Sequence, residues 1–234
     1  VNFKPEGARE VRQAASAFLR MRERIQRQIT QRTEMLAGVS HDLRTPLTRM
    51  KLQLAMLPKS DYAAGLRGDV SEMEKMVDGY LAFARGEGSE VPVPASLQAI
   101  LEEVVEDARR NGADVVLESA VDVQITIRPH AIKRALTNLI DNASRHGYEV
   151  YVAAIKKGGT VEITVDDNGP GIPEVHRESV FKPFFRIDPS RNVETGGVGL
   201  GLTIARDVIR NHGGDLSLEE SAVGGLRALI QLPI

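Results

Sequence analysis

The stretch that decides the fold of the first third of the chain is Val39–Thr48, which reads Val-Ser-His-Asp-Leu-Arg-Thr-Pro-Leu-Thr. Around it, apolar residues recur every three or four positions, which is the spacing of one buried helical face. They are Leu36, Val39, Leu43, Leu47, Met50, Leu54 and Leu57. His41 lies two positions from Val39 and from Leu43, so a helical rotation of about 100° per residue turns it toward solvent. Pro46 lacks an amide hydrogen and predicts a kink one turn beyond His41.

Two helices and a turn are predicted here. The first helix runs from about Gly7 to Leu57, and Ser60 or Asp61 caps the second. The second helix has its own apolar stripe, formed by Leu66, Val70, Met73, Val77, Tyr80 and Ala84. Two helices with one stripe each do not close a core, so we expect two copies to pair as a four-helix bundle in a homodimer. The alternative is a helical hairpin packed on its own C-terminal half.

The charge of the 234-residue chain is unevenly distributed. Residues 1–60 hold 12 of the 30 Lys and Arg and 5 of the 32 Asp and Glu. The arginines follow a helical pattern without interleaved aromatic residues, which favours a solvated face near a membrane surface over nucleic-acid binding. The absence of cysteine excludes disulfides and thiol chemistry. No run of eighteen apolar residues predicts a membrane span. Because the chain begins with Val1, we expect a fragment.

The second half has the composition of a mixed α/β domain. Residues Gly86–Pro94 are predicted to be a linker. Ser96 caps a helix that ends near Gly112, and Pro129 opens a helix that reaches about Arg145. Strands are predicted at 115–118, 124–128, 149–155, 160–165, 216–219 and 226–231, and a further helix at 200–211. The result is an α/β sandwich with helices on one face of a largely antiparallel sheet.

Three motifs in this half carry chemistry. Residues 138–143 (Asn-Leu-Ile-Asp-Asn-Ala) place two amides one helical turn apart, and Asn142 offers a neutral oxygen to a hard cation such as Mg²⁺. Residues 166–172 (Asp-Asp-Asn-Gly-Pro-Gly-Ile) place a carboxylate at a strand end, where it can accept a hydrogen bond from an adenine amino group. Residues 196–202 (Gly-Gly-Val-Gly-Leu-Gly-Leu) open a helix and allow backbone to approach phosphate closely.

The stretch 39–48 resembles the H-box of bacterial sensor histidine kinases. The resemblance implies that His41 is the phosphoacceptor and that Asp42 is its base or orienting partner. Arg44 and Thr45 lie three and four positions beyond His41, so helical spacing predicts that they share its face of the helix. Thr45 resembles the position that orients water when such kinases dephosphorylate their partner. The resemblance therefore predicts a kinase that is also a phosphatase.

The other motifs resemble the remaining boxes of the same family, in the family's order. Residues 138–143 resemble the N-box, which implies that Asn142 binds Mg²⁺ and that Asn138, Arg145 and His146 stand near ATP. The segment 166–172 resembles the G1 box, which implies that Asp167 reads adenine. Residues 181–186 resemble the F-box and 196–202 the G2 box, with 187–195 as a mobile lid. The implied ATP-binding residues also include Gly169, Gly171, Phe181, Gly197, Gly199, Gly201 and Leu202.

The family resemblance implies a fold class of α plus α/β, in which a dimerisation hairpin precedes a GHKL-type ATP-binding sandwich. We expect residues 1–32 to be the end of a HAMP-like linker, 33–88 the dimerisation and phosphotransfer (DHp) domain, and 89–234 the catalytic (CA) domain. A generic coiled-coil lead-in is the alternative for 1–32. The motifs are most similar to osmosensor kinases of the EnvZ type. This similarity implies an OmpR-like response-regulator partner. It also implies a cytoplasmic location beneath an inner-membrane anchor that this sequence lacks.

Two other functions remain open. One is an ATPase of the same superfamily, of the chaperone or mismatch-repair type, which would have no use for His41. The other is a dimeric signalling adaptor that binds nucleotide without turnover. The remaining histidines, His130, His176 and His212, are predicted to be surface or capping residues.

Overall fold

The computed structural model describes residues 9–57, 61–85, 90–187 and 199–234. The chain divides into two compact units, residues 1–86 and 87–234. The first unit is a helical hairpin and the second is a mixed α/β sandwich, so the predicted fold class is confirmed. In the described part of the chain, no helix combines the length and the apolar character needed to cross a bilayer.

The hairpin consists of α1 (Arg9–Ala55) and α2 (Asp61–Arg85). Helix α1 continues through Pro46. The predicted start at Gly7 and the predicted turn and cap at residues 58–60 lie outside the described residues. The two helices are joined by an ion pair between Lys51 Nζ and Glu74 at 2.7 Å. In addition, Arg67 donates to the carbonyl of Leu54 at 3.0 Å, which satisfies an acceptor in the last turn of α1.

The predicted apolar stripes are only partly covered within the hairpin. The buried apolar residues among those described are Leu47, Ala63 and Val70. Other members of the α1 stripe remain 38–50% exposed, namely Val39, Leu43, Met50 and Leu57. A groove of about 260 Å³ between the helices is lined by Leu43, Pro46, Leu47, Met50, Met73 and Val77. The described hairpin therefore leaves several apolar side chains of the stripe exposed, beside this apolar groove.

The α/β unit contains two sheets and three main helices. Its elements in chain order are β1 (Val93–Ser96), α3 (Leu97–Arg110), β2 (Val115–Ser119), β3 (Gln124–Ile127), α4 (Pro129–His146), β4 (Val150–Lys157), β5 (Thr160–Asp167), α5 (Glu174–Arg177), a 3₁₀ turn (Ser179–Phe181), α6 (Gly201–Asn211), β6 (Asp215–Glu220) and β7 (Leu226–Pro233). The five-stranded sheet has the order β2-β4-β5-β7-β6, and β1 pairs with β3 in a small second sheet. Among the described strands of the larger sheet, β2 and β4 pair in parallel and the other neighbours pair antiparallel.

The core of this unit lies between the sheet and the helices α3, α4 and α6. Alternate residues of β5, Val161, Ile163 and Val165, are buried, which is the period of a strand with one covered face. The helices contribute fully buried side chains such as Leu101, Leu136 and Ile209. The predicted capping of α3 is confirmed, because Ser96 Oγ accepts from the Ala99 amide at 3.3 Å.

The predicted linker at 86–94 extends too far. Residues 86–89 lie outside the described residues, but Glu90 and β1 belong to the α/β unit. Val93–Ser96 forms an antiparallel ladder with β3. The carboxylate of Glu90 accepts from the backbone amides of His130 and Ala131 at 2.9 and 3.1 Å. It thereby caps α4, whose own N-cap residue, Arg128, supplies no side-chain hydrogen bond.

Candidate functional site

Helix α4 carries the two asparagines of the 138–143 motif. Its buried face, which includes Leu136, Leu139 and Ile140, packs into the core and fixes the rotation of the helix. Asn138 and Asn142 therefore lie together, half-buried, one turn apart. The amide nitrogen Nδ2 of Asn138 is buried and has no hydrogen-bond partner in the described structure. A buried unpartnered donor costs free energy unless a ligand satisfies it, which suits a polar group bound at this position.

The last turn of α4 brings Arg145 and His146 to the surface. The pKa of His146 is lowered, first by desolvation of the imidazole and then by the guanidinium of Arg145. The carboxylate of Asp167 acts in the opposite direction. The neutral imidazole is therefore favoured, so the positive charge at this end of the helix comes chiefly from Arg145.

The carboxylate of Asp167 is held at the end of β5. It is 3% exposed, and its Oδ1 atom accepts from the amides of Gly169 at 2.8 Å and Leu226 at 3.2 Å. No donor among the described residues bonds to Oδ2. The carboxylate therefore has one oxygen fixed by backbone and one oxygen left to accept from a ligand.

The ends of α4 and β5 are fastened to each other. The side-chain oxygen of Asn168 accepts from the Tyr148 and Glu149 amides at 2.8 and 3.1 Å. A Cβ atom at Gly169 would lie 2.5 Å from the carbonyl oxygen of His146, so only glycine fits this approach. Gly171, with φ of +68°, lies against the backbone of Gly225.

A cleft of about 550 Å³ opens where α4 and β5 end. It is lined by Ser144, Arg145, His146, Gly147, Tyr148, Asn168, Gly169 and Pro170. Of the predicted site residues, Arg145, His146 and Gly169 line this cleft, and Asp167 adjoins it through its bond to the Gly169 amide.

The start of α6 meets α4 and the segment 181–186. A Cβ atom added to Gly201 would lie 3.8 Å from Cβ of Asn138, which places the helix start beside the unpartnered amide. Phe181 is buried, and its carbonyl accepts from Thr203 Oγ1 at 2.8 Å. Gly199, at φ of +72°, accepts from the Phe184 amide at 2.9 Å. These bonds attach the residues on both sides of the predicted lid to the body of the unit.

Two predicted ATP-binding residues of this unit, Leu202 and Gly197, and the predicted lid remain to be located. Leu202 is half-buried in the first turn of α6. Gly197 and the other residues of 188–198 lie outside the described residues, so most of the predicted lid stays a prediction.

The predicted phosphoacceptor residues lie in the other unit. His41, Asp42, Arg44 and Thr45 are in α1, and the last three are exposed. The side chain of His41 lies outside the described part, so its predicted orientation stays a prediction.

The prediction that His212 is a surface or capping residue is confirmed, because His212 is the half-buried C-cap residue of α6. Its Nε2 accepts from the Arg128 amide at 3.0 Å, so Nδ1 carries the proton and donates to the Val208 carbonyl at 2.7 Å. The ring therefore joins the end of α6 to the start of α4. His130 is exposed as predicted, and His176 is half-buried, with its ring centroid 6.2 Å from that of Phe185.

Both units match families of known proteins. Residues 31–89 match the His Kinase A (phospho-acceptor) domain. Residues 127–234 match the family described as histidine kinase-, DNA gyrase B-, and HSP90-like ATPase.

Individual relatives agree with these matches. The chain is 35% identical to the sensor histidine kinase GtrS of Pseudomonas aeruginosa, over 97% of this chain and 47% of GtrS. It is 33% identical to the sensor histidine kinase CpxA of Escherichia coli, over 97% of this chain and 52% of CpxA. The crystal structure of the ATP-binding domain of PrrB from Mycobacterium tuberculosis superposes with a TM-score of 0.53 at 33% identity, over 62% of this chain and 98% of that domain.

The chain belongs to the sensor histidine kinase family. It combines the phosphoacceptor hairpin and the ATPase-type sandwich of that family in one sequence. It spans about half the length of the curated relatives it matches.

Proposed function

We propose that this chain is the cytoplasmic kinase portion of a two-component sensor, and that it transfers the γ-phosphoryl group of ATP to His41. The observation that carries the proposal is the carboxylate of Asp167. Its Oδ1 is fixed by two backbone amides, and its Oδ2 has no donor among the described residues. A carboxylate held in this way can accept a hydrogen bond from the amino group of adenine.

The neighbouring residues suit the rest of a nucleotide. The unpartnered Nδ2 of Asn138 can donate to a phosphate oxygen, and the start of α6 at Gly201 presents backbone amides beside it. Arg145 at the end of α4 supplies positive charge, with His146 next to it. Gly169, Gly171, Gly197, Gly199 and Leu202 complete the proposed set, with Phe181 supporting the base of the glycine loop.

Asn142 would hold Mg²⁺ through its neutral amide oxygen. A hard cation keeps most of its waters in such sites and takes few protein ligands beside the phosphates, which a single half-buried amide suits. When bound, the ion would offset the negative charge that the phosphates bring to the site.

In the proposed reaction, a neutral imidazole nitrogen of His41 attacks the γ-phosphorus. A nitrogen–phosphorus bond forms, the bond from the γ-phosphorus to the bridging oxygen breaks, and ADP leaves. The carboxylate of Asp42 accepts a hydrogen bond from the other ring nitrogen, which carries the proton. This hydrogen bond keeps the attacking nitrogen unprotonated. The phosphoryl group then passes to an aspartate on a response-regulator receiver domain, which we expect to be OmpR-like.

Arg44 and Thr45 lie three and four positions beyond His41 in α1, and both are exposed. We assign Thr45 to a second activity, removal of the phosphoryl group from the regulator, in which its hydroxyl orients water. The experiment uses the autophosphorylated chain and a panel of receiver domains. Thr45→Ala should keep autophosphorylation and phosphotransfer and lose dephosphorylation. Loss of all three together would contradict this division of activities.

The proposed organisation is a homodimer with three segments. The open apolar surface of the hairpin, with Leu43 and Met50 exposed, supports a second copy that completes a four-helix bundle. Residues 33–88 would form the DHp domain and 89–234 the CA domain. Residues 1–32 would end a HAMP-like linker below an inner-membrane anchor. The osmosensor subtype stays a prediction.

The nucleotide part of the proposal is tested by calorimetric titration with ATP and Mg²⁺. Wild type should bind, and Asn138→Ala and Asp167→Asn should each weaken binding at least tenfold, the order of a charged or buried hydrogen bond. Lys157→Ala, at the end of β4 that pairs with the start of β5, is the matched control and should bind as wild type does. Binding that is unchanged in Asp167→Asn would contradict the assignment of the adenine site.

A further inference from the structure

The residue before Asp167 forms a buried cluster of its own on the sheet. Asp166 lies opposite Arg227 in the ladder between β5 and β7. Its Oδ1 accepts from Arg227 Nε at 2.8 Å and from Ser221 Oγ at 2.5 Å. Asp166 and Ser221 are each 5% exposed, so the carboxylate is buried, and both of its hydrogen-bond donors are side chains of this cluster. We call these three residues the Asp166 cluster.

The Asp166 cluster holds both ends of one turn. Ser221 follows the last residue of β6, and Arg227 is the second residue of β7, so the connection 221–225 runs between two residues that bind the same carboxylate oxygen. Within the turn, the Ser221 amide donates to the Gly225 carbonyl at 2.9 Å, and the Gly224 amide donates to the Ser221 carbonyl at 3.1 Å. The cluster therefore bonds the turn at both of its ends, in addition to the backbone bonds within the turn.

The same turn, residues 221–225, also contacts Asp167. A Cβ atom at Gly225 would lie 2.5 Å from Asp167 Oδ1 and 2.2 Å from its carbonyl oxygen, so the backbone of the turn is in direct contact with the carboxylate. The next amide, that of Leu226, donates to Oδ1 at 3.2 Å. This distance is at the outer limit of a normal hydrogen bond, so a displacement of a few tenths of an ångström would break it.

We infer that the Asp166 cluster is the positioning device of the nucleotide site, because it sets the turn whose Gly225 and Leu226 orient the Asp167 carboxylate toward the amino group of adenine. Asp166, Arg227 and Ser221 are positioning residues, since none of them needs to touch the nucleotide. The inference rests on the proposed adenine contact of Asp167 and adds the residues that determine its selectivity.

The charge of Arg227 fits this function. The pKa of Arg227 is raised, chiefly by its hydrogen bond to Asp166, with Glu219 and Glu118 adding to the effect. Arginine donates from a rigid planar group and stays charged throughout the physiological range. Arg227 therefore stays a charged donor to Asp166 throughout that range.

The test compares two nucleotides on the full chain. Dissociation constants are measured by calorimetry, with Mg²⁺, for ATP and for purine riboside triphosphate, which lacks the amino group that Asp167 would bind. The variants are Arg227→Met, which keeps the alkyl stem and removes the donors, and Arg227→Lys, which keeps the charge. Lys157→Ala removes an exposed pairing with Glu162 at the far end of β5 and serves as the control.

Wild type should prefer ATP, and Arg227→Met should lower this preference roughly threefold to tenfold, as expected when a charged hydrogen bond is weakened. Arg227→Lys should recover most of the preference, and Lys157→Ala should leave it unchanged. Ser221→Ala keeps the ion pair and should show a smaller loss in the same direction, which preserves the test if Arg227→Met does not fold.

Two results would overturn the inference while leaving the proposed function intact. One is a preference for ATP over purine riboside triphosphate that is as large in Arg227→Met and in Ser221→Ala as in wild type. The other is an equal loss of affinity for both nucleotides, which would mean that the cluster only supports the fold. A wild-type chain that binds neither nucleotide, or an Asp167→Asn variant that keeps the preference for ATP, would instead overturn the proposed function, and the inference with it.

Discussion

The hairpin and the α/β unit bury their apolar residues to different extents. In the described hairpin, Leu47, Ala63 and Val70 are buried, while Leu43 and Met50 of the same surface remain 46% and 38% exposed. The α/β unit has a closed core, in which residues such as Leu101, Leu136, Ile163, Ile209 and Ile230 are fully buried. One unit is thus complete within the single chain, and the other leaves apolar surface that a further copy would cover.

This difference in burial indicates that the two proposed sites of the chain depend on packing in different ways. The proposed nucleotide site is assembled from α4, β5 and the start of α6, whose buried faces fix the functional side chains. The proposed phosphoacceptor face lies on α1, a helix whose apolar residues Leu43 and Met50 remain partly exposed. Stability of the first site should therefore be independent of association, whereas the hairpin should depend on it.

The largest expected effect is a loss of stability that distinguishes the closed core of the α/β unit from the hairpin. Leu136→Ala should destabilise the α/β unit by about 2–5 kcal/mol, because it opens a cavity in a close-packed core. Leu43→Ala, at a half-exposed position of the hairpin, should leave this unit unchanged. Hydrogen exchange of amides in α4 and β5, followed in denaturant, measures the difference. An equal loss of protection in both variants would show that the two units fold as one.

A charge in the hairpin groove should break association. Leu43→Asp places a carboxylate on the surface that the second copy is proposed to cover, so the dimer dissociation constant should rise roughly 100-fold. Thr48→Asp adds the same charge at an exposed position outside the lining of the groove. Sedimentation velocity over a range of concentrations distinguishes them. A dimer as tight in Leu43→Asp as in Thr48→Asp would place the interface elsewhere.

Within the α/β unit, two histidines that the sequence predicts alike, as surface or capping residues, should differ in their contribution to stability. His212→Ala should cost about 1–3 kcal/mol of unfolding free energy, because the part-buried amide of Arg128 loses its acceptor. His130→Ala should cost less than about 0.5 kcal/mol, as is usual for an exposed side chain. Chemical denaturation gives both values. An equal loss of unfolding free energy in both variants would contradict the view that His212 stabilises the fold by bridging α6 and α4.

The smallest effect concerns pH. Because the fold lowers the pKa of His146, the unfolded chain binds this proton more readily, and the free energy of unfolding falls as pH drops below about 6.5. His146→Asn should reduce this fall without changing stability near pH 8. Denaturant midpoints between about pH 5 and 8 provide the measurement. A wild type and variant with parallel pH profiles would mean that the neutral imidazole is not favoured by the fold.

Local patterns predicted the elements well where the signal is contained in neighbouring residues. The Pro129 helix and the Ser96 cap are examples, since both depend on residues within four positions. The strand β1 was missed because Pro92 and Pro94 read as a linker. In the fold, Pro94 lies in a two-stranded ladder with β3, outside the five-stranded sheet, where a missing amide is tolerated.

Contacts between distant residues could not be predicted from any local pattern. His212 meets the Arg128 amide across 84 positions, and Asp166 meets Ser221 and Arg227 across 55 and 61. The family resemblance predicted Asp167, because its motif is contiguous, but not the turn that holds it. The motif identifies the residues of the proposed chemistry, and the fold identifies the residues that position them.

The central claim is tested most directly by incubating the full chain with Mg²⁺ and γ-labelled ATP, beside His41→Ala. A phosphohistidine is labile in acid and stable in alkali, unlike the phosphate esters of serine and threonine. The account predicts an acid-labile, alkali-stable label on wild type and none on His41→Ala, with ATP binding equal in both. Label that persists in His41→Ala, or ATP hydrolysis that does not depend on His41, would contradict it and favour an ATPase of the same superfamily.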